Sequence, residues 1–326
     1  MARGSGLKTS APVAIEAESK TRPKGEKLDK GRRRFLVAST LAPLALAGAC
    51  SGQPPLTRIG GILWIGYEPL FLARELGLYD ADPLRLVEMP YSSANITALA
   101  TGDLEAATLT LDEFLLAREG GLDLRAILVF DDSAGADVVM SRPGIGRLED
   151  LRGKRIGVEE NASGALMLAK TLEAAGLTPS EIVKVRVTGN RQLETFRAGE
   201  VDALVSWEPL ATQLQSQGAR RLHDSSHFPG LILDVLVART DALERSPDSF
   251  RQLLAGYFQA LDYLGRAPGE AAHRMAPRLG VTPDEVQVAM KGLRFMDLAS
   301  NYGWLDGARP GLLPVAENVA RIMVSA

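Results

Sequence analysis

From Thr57 onward, short apolar runs alternate with segments of helical spacing. Residues 58–65 are apolar and rich in β-formers, and they end at Gly66-Tyr67-Glu68-Pro69. Leu72, Ala73 and Leu76 then recur at helical spacing, so residues 70–78 read as a helix. Residues 84–89 alternate like a strand. Ser92-Ser93-Ala94-Asn95 offers helix N-cap side chains, Ile96, Leu99 and Ala100 form the apolar stripe, and Gly102 closes the helix. Residues 106–111 read as a strand, 112–120 as a helix and 124–130 as a strand.

The same order returns further along. Residues 154–158 are a strand, and Ser163 caps a helix carrying Leu166, Leu168, Ala169 and Leu172 up to Gly176. Residues 183–187 alternate, 192–198 are a short helix closed by Gly199, and 202–207 are a strand. Gly102-Asp103-Leu104-Glu105-Ala106 matches Gly199-Glu200-Val201-Asp202-Ala203, 97 positions later. Strand–helix alternation predicts an α/β protein whose sheets are mostly parallel and flanked by helices. Two such copies predict two lobes, one of residues 57–136 plus 229–326 and one of residues 137–228. Residues 131–138 and 228–235 would cross between them and form a hinge. The C-terminal region reads as helical throughout, at 250–264, 269–279, 283–293 and 314–324.

The N-terminus follows a different pattern. Residues 1–34 hold ten Lys/Arg against four acids, and residues 35–56 carry no charge. The chain as a whole is at −3, so everything after residue 34 sums to −9. A body this acidic is a poor nucleic-acid binder, because phosphate contacts need a basic face. Arg32-Arg33-Arg34 followed by an uncharged run to Ala49 reads as an export signal, and residues 1–56 as signal, lipobox and tether. The run is too short and too broken by Pro43 for a spanning helix. Cys50, the single cysteine, stands where a bacterial lipoprotein carries its lipid, although Leu46 lies one step too early for that pattern. Arg32-Arg33-Arg34-Phe35-Leu36 also resembles a twin-arginine signal. The expected location is the periplasmic face of the cell membrane, with a lipid anchor on Cys50. One cysteine and three histidines leave no disulfide framework and no multi-Cys metal centre, and no metal or cofactor is expected.

In open α/β sheets, ligands bind beyond the carboxyl ends of the strands. The polar and aromatic groups there are Trp64, Tyr67 and Glu68 after the first strand, then Ser92, Ser93, Asn95, Thr110 and Asp112. The second copy adds Ser163, Gly164, Trp207 and Glu208, and Asp234 stands on the returning strand. Ser92/Ser93 and Ser163/Gly164 each open a helix, whose free N–H groups favour an anion. No Lys or Arg joins them, and Glu68, Asp112, Glu208 and Asp234 would repel a bare anion. A zwitterion or a polar heterocycle reconciles the two halves. His223 and His227 read as loop residues facing solvent. No Ser-His-Asp constellation and no G-x-S-x-G is present, and Gly153-Lys154 fails the phosphate-loop pattern because Arg155 follows.

Four segments carry a resemblance: residues 66–73 (GYEPLFLA), the turn 102–107 (GDLEAA), residues 148–159 (LEDLRGKRIGVE) and residues 199–209 (GEVDALVSWEP). Over residues 57–326 the chain resembles the solute-binding proteins of ABC importers for sulfonates, taurine, nitrate and thiamine-pyrimidine precursors. The resemblance implies a type II clamshell with a small-molecule solute in the cleft. It also implies a membrane permease with a cytoplasmic ATPase as partners, a monomeric state and no chemistry by the protein itself. Two alternatives remain at this point: a ligand sensor for a membrane receptor, and a pyrimidine-synthase-like enzyme. The second of these would use pyridoxal phosphate and a cysteine cluster that one cysteine cannot supply.

Overall fold

The computed structural model describes residues 55–325, so Cys50 and the export signal lie outside the described residues. The first copy runs β1 (Thr57–Gly61), α1 (Glu68–Glu75), β2 (Leu84–Glu88), α2 (Ser92–Thr101), β3 (Ala106–Thr110), α3 (Leu111–Glu119) and β4 (Leu124–Ser133). The second runs β5 (Asp137–Ser141), β6 (Arg155–Val158), α4 (Ala162–Ala175), β7 (Val183–Arg186), α5 (Gln192–Ala198), β8 (Ala203–Trp207), α6 (Leu210–Ser216) and β9 (Arg220–Asp224). The chain then returns through β10 (Leu233–Arg239). It ends in α7 (Thr240–Arg245), α8 (Pro247–Arg266), α9 (Pro268–Leu279), α10 (Pro283–Met290), β11 (Leu293–Phe295), α11 (Leu298–Leu305) and α12 (Leu312–Ser325).

The strands form two sheets, ordered β11-β4-β10-β3-β1-β2 and β7-β6-β8-β5-β9. Each is mixed rather than mostly parallel in its pairing. β1 pairs parallel with β2 and β3, and β6 with β7 and β8. The strands next to the crossings, β10 and β5, instead pair antiparallel with both neighbours. A strand that enters from the other sheet arrives from the opposite end, so it runs against its hosts.

The 97-residue repeat is built into the side-chain bonding. At the start of β1, Arg58 gives its backbone N–H and Nε to Glu105 Oε2 at 2.8 and 3.0 Å, and Nη2 to the Gly102 carbonyl at 2.9 Å. At the start of β6, Arg155 gives its N–H and Nε to Asp202 Oδ2 at 2.9 and 3.1 Å, and Nη2 to the Gly199 carbonyl at 2.9 Å. Gly102 and Gly199 hold φ of 79° and 75°, the left-handed turn that ends each helix. The Asn95 amide donates to the Thr108 carbonyl at 3.0 Å, and the Gln192 amide to the Val205 carbonyl at 3.2 Å. Each pair stands 97 residues apart, so the two copies fold by one set of local bonds.

Three expectations need correction. The first strand stops at Gly61; residues 62–65 are apolar because Trp64 and Ile65 are buried, not because they pair in a sheet. The C-terminal region is not wholly helical, since β11 adds three edge residues opposite Asp131–Ser133 of β4. A strand that short leaves no readable alternation. His223 lies on β9 at 5% exposure, stacked on His227 at 4.5 Å, while His227 itself is exposed. Burial lowers the His223 pKa.

Candidate functional site

Between the two sheets lies a cavity of about 350 Å³. Trp64, Tyr67, Ser92, Thr110, Ser163, Trp207 and Asp234 line it. Ile62, Glu113, Asp137 and Asn161 complete the lining. The aromatic side is anchored to the core. Tyr67 packs on Phe130 at 5.1 Å between ring centres, and Phe130 packs edge-on to Tyr257 of α8 at 5.3 Å. Trp64 meets Tyr67 edge-on at 6.4 Å. Gly66 lets these groups approach: a Cβ there would collide with the Trp64 indole nitrogen and with an Asp131 carboxylate oxygen.

The other side is acidic. Tyr67 donates a short hydrogen bond to Asp234 Oδ1, and Asp234 Oδ2 has no partner. Asp131 faces Asp234 in register on the adjoining strand, completely buried. Glu113 Oε2 accepts from Ser92 Oγ at 2.6 Å and from the Thr110 N–H at 3.1 Å, while Oε1 has no partner. The Asp137 N–H bonds Ser133 Oγ at 3.1 Å, and Asp137 Oδ2 has no partner. Burial raises every one of these acids. Glu113 is pushed from 4.5 to about 7 by burial and then by the charge of Asp112. Asp137 is pushed from 3.8 to about 7, again mainly by burial. Asp131 and Asp234 are raised further, by burial and then by neighbouring carboxylates, Asp137 for the first and Asp131 for the second. Two like charges on adjoining buried strands cannot both ionise cheaply. Burial and Asp234 likewise raise the Tyr67 hydroxyl.

A second inter-sheet contact lies beside the cavity. Glu159, 4% exposed at the end of β6, accepts from the Ser92 N–H at 3.3 Å through Oε1 and from the Gly189 N–H at 3.1 Å through Oε2. Ser92 and Gly189 correspond under the 97-residue repeat, so one carboxylate spans equivalent positions of the two copies. Trp207 Nε1 donates to the Leu63 carbonyl at 3.1 Å, and the Ile65 N–H to the Glu208 carbonyl at 3.3 Å.

The structure places six candidate residues away from this lining. Glu68 is buried in an ion pair with Arg278, whose guanidinium stacks 3.4 Å from the Phe71 ring centre; burial pushes Glu68 to about 7. Glu208 is held by Arg221 at 2.7 Å and by Thr212. Asn95 holds the β3 backbone, the duty Gln192 performs in the other copy. Asp112 is buried at the start of α3, outside the lining. Ser93 lines a separate surface groove with Glu160 and Arg186. Gly164 gives its N–H to the Asn161 side chain at 2.9 Å, so Asn161, not Ser163, caps α4. Ser92 is likewise the first residue of α2 rather than its cap, because Tyr91 is the cap. Glu113, Asp131, Asp137 and Glu159 were not among the candidates. Glu113 and Glu159 do stand at strand exits, and Glu113 is also the fourth residue of a T-x-x-E capping box. Asp131 showed a signal in being an acid that ends a continuous apolar strand.

Among the described residues, no group of three or more His, Cys, Asp or Glu is placed to hold a metal ion. No helix among them is long and apolar enough to cross a membrane. Residues 64–271 match the family model described as NMT1/THI5 like. The chain belongs to the NMT1/THI5-like family. A Brucella abortus (strain 2308) relative named only as a binding protein is 23% identical over 293 residues, 85% of this chain and 91% of that one. The taurine-binding periplasmic protein of Escherichia coli (strain K12) is 25% identical over 156 residues, 47% of this chain and 48% of that one. Among solved structures, the alkanesulfonate-binding protein of Xanthomonas axonopodis pv. citri bound to MOPS superposes with a TM-score of 0.71 at 19% identity, over 84% of this chain and 94% of that one. A desulfurization enzyme superposes with a TM-score of 0.60 at 19% identity, over 83% of this chain and 92% of that one. The NMT1/THI5-like fold therefore carries both binding proteins and an enzyme, and the site has to decide between them.

Proposed function

We propose that the chain is the extracytoplasmic solute-binding component of an ABC importer. It captures a small polar solute between lobes formed by residues 57–136 plus 229–326 and residues 137–228, and hands it to a membrane permease driven by a cytoplasmic ATPase. One observation carries the reading. The cavity is closed by bonds that exist only when the two sheets approach: Glu159 to Ser92, Trp207 to Leu63, and Ile65 to Glu208. Separation of the lobes would break these bonds, and closure over a solute would re-form them. The named relatives that bind taurine or alkanesulfonates support the role. The lining has no Lys to form a Schiff base and no Cys, so a pyridoxal-phosphate enzyme would find neither its anchor nor its cysteines there.

A melting screen over sulfonates, amino-sulfonates, pyrimidines and small carboxylates tests this. A true solute raises stability by mass action, about 2.7 kcal/mol at 100 times its Kd. The same solute should shrink the radius of gyration measured by small-angle scattering. An unchanged radius at saturation would overturn the clamshell reading. For location, we propose a lipid anchor on Cys50 after export. Cys50→Ala should move the mature protein from the membrane fraction to the soluble fraction; a variant still membrane-bound would remove the anchor from the account.

A further inference from the structure

The site's charge names the solute class more narrowly, on the premise that the inter-sheet cavity is the solute site. The sequence suggested a ligand with an anionic end resting on two helix N-termini. The structure leaves that end no clear seat. The N-terminus of α2 is already occupied by the protein's own carboxylate, Glu159, on the Ser92 N–H. At α4 the Asn161 side chain takes the Gly164 N–H. The lining contains no Lys and no Arg. It does contain carboxylate oxygens that no protein donor satisfies: Glu113 Oε1, Asp137 Oδ2 and Asp234 Oδ2. Glu113 and Asp234 are each 2% exposed, so these are buried acceptors turned toward the cavity. A buried acceptor without a donor is unfavourable, and a buried carboxylate needs a positive partner.

We propose that the cleft binds a small planar nitrogen cation, whose N–H groups meet Glu113, Asp137 and Asp234 while its face lies against Trp64 and Trp207. An amidinium, a guanidinium or a protonated amino-heterocycle has this chemistry. The aromatic wall suits a cation for a second reason, since indole faces attract positive charge. Glu113 couples the two features of the site. Its Oε2 holds Ser92, and Ser92 holds Glu159, so a cation at Oε1 touches the first link of the inter-sheet bond. A sulfonate, alone or on a taurine-like zwitterion, would find neutral donors in the lining such as Ser163 and the Trp64 indole, but no cation, and would face the three acids.

The test uses opposite-charge pairs on the purified full chain at pH 8. Guanidinium and nitrate are both trigonal and planar. 4-Aminopyridine at that pH is a planar cation, to be set against methanesulfonate, with taurine as the zwitterion. Binding is read by calorimetry and by fluorescence of Trp64 and Trp207. At least one of the two cations should bind ten times more tightly than every anion and than taurine. Asp137→Asn, at the least buried of the three acids, should weaken it tenfold or more, and Glu113→Gln should do the same. Nitrate, methanesulfonate or taurine binding more tightly than both cations overturns the inference and leaves the solute-binding reading standing. Cation binding unchanged in both variants also overturns it. Failure of all five probes, with no compaction by scattering, overturns both readings.

Discussion

The free protein should melt on the order of 10 °C lower at pH 8 than at pH 5. The sign follows from which state binds protons. Unfolded, Glu113 and Asp137 titrate near their ordinary values of 4.5 and 3.8. Folded, both hold their protons up to about 7. Between those limits the native state carries more protons than the unfolded one, so stability falls as pH rises. Glu113 alone loses on the order of 3 kcal/mol across that interval. Asp131 and Asp234, raised further by burial and by one another, extend the decline upward. Tyr67 and Tyr257 face the same cluster and stay protonated, so they add no opposing charge. Carboxyls lowered by partners, such as Glu105 with Arg58 and Asp202 with Arg155, lose their stabilisation only as pH falls below the ordinary carboxylate range, outside this window. His223 opposes, because its buried ring resists protonation in acid. Melting curves at half-unit pH steps check the trend, and Glu113→Gln should flatten part of it. A melting temperature that is level or rising from pH 5 to pH 8 would show the cluster to be well solvated.

The same chemistry explains which parts of the protein could be read in advance. The repeat was legible because it rests on local features: a helix-closing glycine, acids one and three residues later, and a strand. Arg58 and Arg155 strengthen that match, yet their role appears only once each guanidinium is seen reaching back to its own glycine turn. The aromatic half of the site was legible too, since Trp64, Tyr67 and Trp207 follow strands and meet at the cavity. The acids were not. Glu68 and Glu208 stand at strand exits like true site residues, but Arg278 and Arg221, 210 and 13 positions away, neutralise them. Asp131 and Asp137 stand in the crossover segment, where acids ordinarily mean solvent, and here the crossing strands bury them. Whether a carboxylate is paired depends on long-range contacts, and single-sequence patterns do not carry those.

Glu159→Ala should hold the lobes open and lower solute affinity ten- to hundredfold without unfolding the protein. The side chain lies at the end of a four-residue strand, with each oxygen on one backbone N–H, Ser92 in one copy and Gly189 in the other. Hydrogen bonds to a charged group contribute roughly 1.5–3 kcal/mol each. The bond to Gly189 is internal to its own lobe and survives opening; the bond to Ser92 does not. Losing that single bond shifts the closed–open balance by about ten- to a hundredfold at 1.4 kcal/mol per decade. Affinity falls with the fraction of molecules able to close. The intrinsic fit of solute to the Glu113, Asp137 and Asp234 side is untouched, so the loss should appear together with a larger radius of gyration in the free protein. Glu159→Gln separates charge from geometry: an amide oxygen can still accept from Ser92, so its loss should be the smaller of the two. Burial raises the Glu159 carboxyl, and acid should therefore weaken the same contact in the parent protein. If Glu159→Ala matches the parent in both affinity and radius, Glu159 merely caps its own loop, and closure is driven by Trp207 on Leu63, by Ile65 on Glu208 and by the solute.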